Sequence, residues 1–225
     1  MQHNNRLKKV LILVSILLLP SLFYLFLHSG ENNFRRLPFY GPKKLSETGD
    51  TIFHKIPDFQ FTNQNGETIS STDYEGKLYV ADFFFATCPT ICPQMATHLL
   101  EVQSHFYDRS DFGILSHTVN PEHDTVEVLK DYSEKVHGID SIWNFVTGPK
   151  EDIYEIAFKG YFVNALPDEV APGGFLHSQL LILVDKNGHI RGYFDGTSTS
   201  EVNDLYDAIE ILYKEEFAPL KTRKK

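Results

Sequence analysis

Residues 77–95 read KLYVADFFFATCPTICPQM and contain both cysteines of the 225-residue chain. Residues 77–86 form a nearly continuous apolar run, as expected for a central β-strand that is covered on both faces. We expect a helix from about Pro89, because proline is favoured in the first turn of a helix. The stretch therefore predicts a strand that passes into a helix, with Cys88 at the junction and Cys92 four residues later.

The rest of the chain alternates strand and helix signals around this stretch. Asn65-Gly66 is a typical hairpin turn pair and predicts a hairpin near the start of the domain. Further strands are predicted at 112–119, 142–148, 180–185 and 189–196, and further helices at 125–138, 149–161 and 198–217. This order predicts an α/β domain with a mixed sheet flanked by helices. With a cysteine pair at the junction of the first long strand and its helix, it is the thioredoxin-like arrangement.

The overall charge argues against one class of function. The formal net charge is −9, whereas a general nucleic-acid binder needs a basic face. The basic tail at 218–225 is too short and too terminal to change this conclusion. We therefore expect no nucleic-acid partner.

The N-terminus has the pattern of a membrane anchor. Arg6, Lys8 and Lys9 precede an almost continuously apolar segment at 10–27, close to the minimum length of a transmembrane helix. No A-x-A cleavage pattern follows this segment, which favours an uncleaved signal anchor over a removed signal peptide. Positive charge before the segment favours a cytoplasmic N-terminus. The expected location is the bacterial inner membrane, single-pass, with the domain on the periplasmic side.

The predicted organisation has five parts. They are a cytoplasmic segment (1–9), a transmembrane signal anchor (10–27), a linker (28–55), a thioredoxin-like domain (56–217) and a basic tail (218–225).

The cysteine spacing leaves several kinds of site open. Residues i and i+4 share one face of a helix, so both sulfurs can point at one spot. A helix N-terminus favours the thiolate, which is the form that attacks disulfides and binds metals. Thiolates suit copper(I) or zinc, whereas an iron–sulfur cluster normally needs four cysteines. A metal site, a redox pair, a structural disulfide and two inert buried cysteines all remain possible from the spacing.

His177 lies just before the strand predicted at 180–185. In a thioredoxin-like fold this position faces the cysteine-bearing loop, and thioredoxins have a cis-proline there. This chain has His177 and Ser178 instead. A histidine that faces two thiolates completes a set of two sulfurs and one nitrogen, which can bind copper in either oxidation state.

Three segments resemble the Sco/SenC family of copper-binding proteins, which help to assemble cytochrome c oxidase. They are FFFATCPTICPQM at 83–95, TVNPEHDTVEVLKDY at 118–132 and FLHSQLLILVDKNGHIRGYFDG at 175–196. The resemblance implies a thioredoxin-like metallochaperone rather than an enzyme, with one copper ion bound by Cys88, Cys92 and His177.

The resemblance also implies partners. The task would be to deliver copper to the binuclear CuA site of the oxidase, or to reduce the cysteines of that site. The expected partner is the CuA-bearing subunit, with other copper chaperones or thiol–disulfide reductases as further candidates.

Two positions depart from the family pattern. Asn120 stands where the family usually has aspartate, so a carboxylate at that position is lost, although Glu122 and Asp124 remain. Leu176 stands where an aspartate often precedes the histidine. Such neighbours tune a metal-bound imidazole, so Leu176 is expected to affect the orientation or basicity of His177.

Other functions remain open beside the copper hypothesis. A membrane-anchored thiol–disulfide oxidoreductase would use Cys88 as nucleophile and Cys92 as resolving thiol. A peroxidase on the same fold is less favoured, because no threonine or arginine arrangement for activating peroxide is evident. His117 and His123 flank the segment after the second strand and could lie near the site, although a surface or hydrogen-bonded histidine is the favoured explanation for each.

Overall fold

A computed structural model of the chain divides into two compact units, Met1–Arg35 and Arg36–Lys225. The structure describes residues 2–28, 36–163, 166–167, 175–176 and 178–215.

The described part of the first unit is one helix, α1, at Gln2–His28. It includes residues 10–27, which the sequence predicts to be a membrane anchor. In the described part of the chain, no helix is long and apolar enough to cross a membrane. The anchor therefore stays a prediction from the sequence.

The second unit alternates strands and helices as the sequence predicts. Its described strands are β1 Lys43–Leu45, β2 Thr51–Phe53, β3 Gln60–Asn63, β4 Thr68–Ser70, β5 Leu78–Phe84, β6 Phe112–Thr118, β7 Trp143–Thr147, β8 Leu166–Pro167, β9 Phe175–Leu176, β10 Leu180–Val184 and β11 Ile190–Asp195. Its described helices are α2 Ile91–Phe106, α3 Val126–Lys135, α4 Lys150–Glu155 and α5 Thr199–Glu215.

Seven of the described strands form one mixed sheet in the order β11-β10-β5-β6-β7-β3-β4. Strands β5, β6 and β7 run parallel, and β10 and β3 pair antiparallel with β5 and β7. The carboxyl ends of the three parallel strands therefore meet at one edge of the sheet. The segments that follow β5 and β6 begin side by side at this edge.

Strand β5 is covered on both faces, which explains its apolar sequence. Successive residues of a strand face opposite sides of the sheet. Phe84 stacks on Tyr132 of α3 with ring centroids 5.0 Å apart, and Phe83 stacks on His117 at 4.9 Å. Phe83, Phe84 and Phe85 are all buried, as predicted for core residues.

The predicted hairpin at Asn65-Gly66 is present between β3 and β4. Gly66 has φ +76°, a left-handed conformation that glycine adopts without steric cost. The start of α2 differs from the prediction. The helix begins at Ile91 rather than about Pro89, so Cys88 lies in the turn before the helix and only Cys92 lies within it.

Residues 36–55, which the sequence predicts to be linker, belong to the second unit. Strands β1 and β2 form an antiparallel hairpin within them. The guanidinium of Arg191 donates to the carbonyl oxygens of Leu37, at 2.8 Å, and Pro38, at 3.2 Å. It also pairs with Asp185 at 3.1 Å and Glu215 at 2.9 Å. This buried ion network ties the segment to β11 and α5.

Candidate metal centre

The two cysteines lie where β5 passes into α2, at the edge of the sheet described above. Cys88 is 7% exposed and Cys92 is 2% exposed, and no disulfide joins them. The Cys88 N–H donates to the carbonyl oxygen of Phe85 at 3.1 Å, which closes the turn after the strand. Cys92 follows in the first turn of α2, where backbone N–H groups have no partner within the helix.

The two thiols have different environments, which lower the pKa of Cys88 and raise the pKa of Cys92. Burial opposes ionisation of Cys88, but hydrogen bonds from Cys92 and Thr90 outweigh it and hold the pKa of Cys88 below its usual value. Burial and the hydrogen bond to Cys88 raise the pKa of Cys92 well above its usual range. Cys88 is therefore the thiol that ionises first, and Cys92 ionises only at higher pH.

A buried polar cluster around Asp82 lies near enough to Cys92 to interact with it electrostatically. Asp82 of β5 accepts a short hydrogen bond from the hydroxyl of Ser116, which in turn accepts from the indole N–H of Trp143 at 2.8 Å. Burial raises the pKa of Asp82 to about 7, although the Ser116 bond opposes this change. Burial and the nearby negative charges of the two cysteines, Asp82 and Asp124 raise the pKa of Tyr132 above its usual range. Tyr132 of α3 therefore borders the site.

Asp82 and Tyr132 interact electrostatically with the cysteines, and no motif in the sequence identifies either as a site residue. Asp82 carried a detectable signal, because an acid inside an apolar strand is rarely buried without a functional or structural reason. Tyr132 gave no such signal, since a tyrosine on the apolar face of an amphipathic helix is normal in a core.

The two histidines flanking the loop after β6 have different surroundings. His117 is fully buried among the rings of Phe59, Phe61, Phe83 and Tyr161, and neither ring nitrogen has a hydrogen-bond partner. It is a core residue. The side chain of His123 is about half exposed, and its Nδ1 lies 2.8 Å from a carboxylate oxygen of the next residue.

His177, the predicted third ligand, lies outside the described residues. Strand β9, which ends at Leu176, pairs antiparallel with β8, with Leu166 opposite Leu176. Among the described residues, no group of three or more histidine, cysteine, aspartate or glutamate side chains is arranged to hold a metal ion. The structure therefore places two of the three predicted ligands, and the third stays a prediction.

A family model described as SCO1/SenC matches residues 48–212, most of the chain and all of the cysteine site. The chain belongs to the SCO1/SenC family. This agrees with the resemblance carried by the motifs at 83–95, 118–132 and 175–196, and with the mixed α/β sheet.

Members of the family resemble this chain in sequence and in fold. The SCO1 protein homolog of Bacillus subtilis is 27% identical over 163 residues, which are 72% of this chain and 84% of that protein. The solved structure of BsSco, described as a Sco-family cytochrome c oxidase assembly protein with a disulfide switch, is 26% identical with a TM-score of 0.62, covering 71% of this chain and 93% of that one. The structure of Bradyrhizobium japonicum ScoI with copper bound is 25% identical with a TM-score of 0.57, covering 69% and 96%.

Proposed function

We propose that this protein binds one copper ion through Cys88, Cys92 and His177 and acts in the assembly of cytochrome c oxidase. The observation that carries the proposal is the pair of reduced, closely spaced thiols at the start of α2, in a chain of the SCO1/SenC family. Soft thiolate ligands favour copper(I), and an added imidazole accommodates copper(II). Copper is the cargo that the protein would hold and pass on, and it would supply no chemistry of its own here.

The thiol environments support a defined order of events at the protein's own residues. Cys88 has the lower pKa and would present its thiolate first. Cys92 has a raised pKa, so a soft metal must displace its proton. Metal uptake is therefore expected to release protons and to weaken as the pH falls. Both cysteine residues are buried, which limits access by water and by competing thiols.

We further propose that copper is delivered to the CuA-bearing subunit of the oxidase from a membrane-tethered position. The support is the N-terminal sequence pattern, with Arg6, Lys8 and Lys9 before the apolar residues 10–27. The proposed location is the bacterial inner membrane, with the second unit on the periplasmic side.

Anaerobic titration with copper(I), followed by the absorption spectrum of the copper(II) form, tests the ligand set. We expect one equivalent bound to the reduced protein and an intense thiolate-to-copper charge-transfer band. Cys88→Ser and Cys92→Ser should each abolish the band, and His177→Ala should shift or remove it. His105→Ala changes an exposed histidine in α2 that packs on Tyr206, and it should leave binding and spectrum unchanged.

A thiol–disulfide oxidoreductase is the alternative, and membership of the SCO1/SenC family favours the copper proposal over it. A low-pKa thiol beside a protonated one is the arrangement for nucleophilic attack on a disulfide. The same titration separates the candidates. Failure to bind stoichiometric copper, together with rapid exchange of the thiols against a dithiol couple, would contradict the copper proposal and favour this one.

A further inference from the structure

We propose that Asp124 is a positioning residue that holds the cysteine loop in the geometry of the thiol site. The inference deepens the proposed function, because it concerns the same two thiols. Asp124 lies in the segment after β6, at the sheet edge where the turn after β5 also begins. Its side chain is fully buried.

Three donors converge on the Asp124 carboxylate. The backbone N–H of Ala86 donates to Oδ2 at 3.1 Å. The hydroxyl of Thr118 makes a short hydrogen bond to the same oxygen. Nδ1 of His123 lies 2.8 Å from Oδ1. A carboxylate that accepts several N–H and O–H groups is well suited to burial, because its lone pairs are satisfied.

The hydrogen bond between Ala86 and Asp124 connects the cysteine turn to the segment after β6. Ala86 lies two residues before Cys88 and two residues after the end of β5 at Phe84. The last link between the strands is the bond from Val119 N–H to the carbonyl oxygen of Phe84 at 2.8 Å. Beyond this bond, the hydrogen bond from Ala86 to Asp124 joins the cysteine turn to the segment after β6. The carboxylate therefore fixes the point from which the chain turns to place Cys88 against Cys92 and Thr90.

Asn120, at the start of the same segment, contributes through its backbone. Asn120 does not supply a side-chain acceptor to the cysteine turn in this structure. Its N–H donates to the hydroxyl oxygen of Thr118 at 3.0 Å, which leaves the Thr118 proton for Asp124. The segment TVNPEHD thus delivers one buried carboxylate to the cysteine turn, through Asp124.

Asp124→Asn tests the inference because it nearly preserves volume and changes the hydrogen bonding. An amide has one acceptor oxygen, and that oxygen is a weaker acceptor than a carboxylate oxygen, so the bonds from Ala86 and Thr118 to this side chain weaken. If Asp124 positions the turn, the turn loosens in the variant and Cys88, which is 7% exposed in the wild type, becomes more accessible. If Asp124 has no positioning role, the accessibility of Cys88 stays as in the wild type.

The measurement is the rate of iodoacetamide alkylation at Cys88 against pH, site-resolved by mass spectrometry on the full-length reduced protein. We expect alkylation of Cys88 in Asp124→Asn to be several-fold faster than in the wild type at every pH, because a loosened turn exposes the Cys88 sulfur. An unchanged or slower rate would overturn the inference. No copper is needed, so the result stands even if the copper titration fails.

Asp185→Asn is the matched control. Asp185 is also a buried turn carboxylate with three donors, the N–H groups of Asn187 and His189 at 3.0 Å and the guanidinium of Arg191 at 3.1 Å. It lies at the end of β10, in the hairpin turn before β11, and should lower stability without moving the alkylation profile. Thr118→Val provides a milder perturbation if Asp124→Asn does not fold. It removes one donor to Asp124 and should speed alkylation of Cys88 by a smaller factor, and an unchanged rate would overturn the inference.

Discussion

At the scale of single residues, His117 and Asp82 oppose each other in the response of stability to pH. Both are buried and lie on the neighbouring strands β6 and β5. Burial lowers the pKa of His117 from 6.5 to about 3. Burial raises the pKa of Asp82 from 3.8 to about 7. Each group is therefore neutral in the folded protein over a pH range in which it is charged in the unfolded chain.

The signs of the two contributions follow from proton uptake. Between about pH 3 and 6.5 the unfolded chain binds a proton at His117 that the folded protein does not, so His117 lowers stability as the pH falls. Between about pH 4 and 7 the folded protein holds a proton at Asp82 that the unfolded chain has lost, so Asp82 raises stability as the pH falls. Each slope is about 1.4 kcal/mol per pH unit, and the two nearly cancel.

Removing either His117 or Asp82 should reveal the pH dependence of the unfolding free energy that the other group causes. We expect the free energy of unfolding of His117→Phe to rise, relative to wild type, by roughly 2–3 kcal/mol as the pH falls from 6.5 to 4.5. Asp82→Asn should show a relative fall of similar size over the same range. Urea unfolding at several pH values measures both changes, with the double variant as the control. Parallel curves for wild type and the single variants would contradict the assignment.

At the scale of elements, the sheet and most helices could be predicted because their apolar periodicity is strong. The β1–β2 hairpin could not, since Leu45 and Ile52 are 77% and 53% exposed and give no apolar alternation. Residues 149–161 were predicted as one helix. In the structure α4 ends at Glu155, and the chain continues as a π-helical turn at Ile156–Gly160. Sequence periodicity does not report such a change of winding.

The site was predictable to a similar degree. Cys88 and Cys92 were found because a cysteine pair at a strand-to-helix junction has a known chemical consequence. Their tertiary neighbours were not found, because a bond such as that from Ala86 to Asp124 joins residues 38 positions apart. Only the pairing of β5 with β6 brings these residues together, and no local pattern encodes it.

The packing of α2 against the end of β11 yields a prediction at the same scale. A Cβ added to Gly196 would lie 2.9 Å from Cγ of Leu181 and 3.1 Å from Cγ of Met95. Both side chains are buried, and the Gly196 carbonyl oxygen lies 2.8 Å from Nδ1 of His98. Gly196→Ala should therefore push α2 outward and lower the unfolding free energy by about 1–3 kcal/mol in urea titrations.

The displacement of α2 should also reach the thiol site, because Cys92 lies on the same helix. We expect Gly196→Ala to alter the alkylation profile of the cysteines. Gly76→Ala is the control, since its φ of +76° strains an alanine while no atom lies within 4 Å of the added Cβ. It should lower stability and leave the profile unchanged. Equal profiles for both variants would show that α2 does not couple Gly196 to the site.

At the scale of the whole molecule, the second unit holds the thiol site at one end of its sheet and the Arg191 ion network at the other. The carboxyl ends of the parallel strands hold the cysteine pair, and the end of β11 meets α2 there through Gly196. The start of β11 holds Arg191, whose side chain is 5% exposed and which binds the 37–38 segment, Asp185 and Glu215. Asp195 lies four residue steps along the strand from Arg191, about 13 Å away. The ion network and the thiol site are therefore spatially distinct.

This separation predicts that stability and metal binding can be uncoupled. Arg191→Met leaves the carboxylates of Asp185 and Glu215 without their shared guanidinium, and breaking a buried ion network in this way costs about 3–5 kcal/mol. Copper stoichiometry and the alkylation profile of Cys88 should stay at wild-type values below the unfolding transition.

Arg109→Met is the matched control, because the Arg109 guanidinium lies over the ring of Tyr213 at 4.5 Å on the surface and should contribute less than about 1 kcal/mol. Urea unfolding compares the two variants. Equal losses would mean that the buried network adds nothing beyond a surface contact, and a changed thiol profile in Arg191→Met would mean that the two ends communicate.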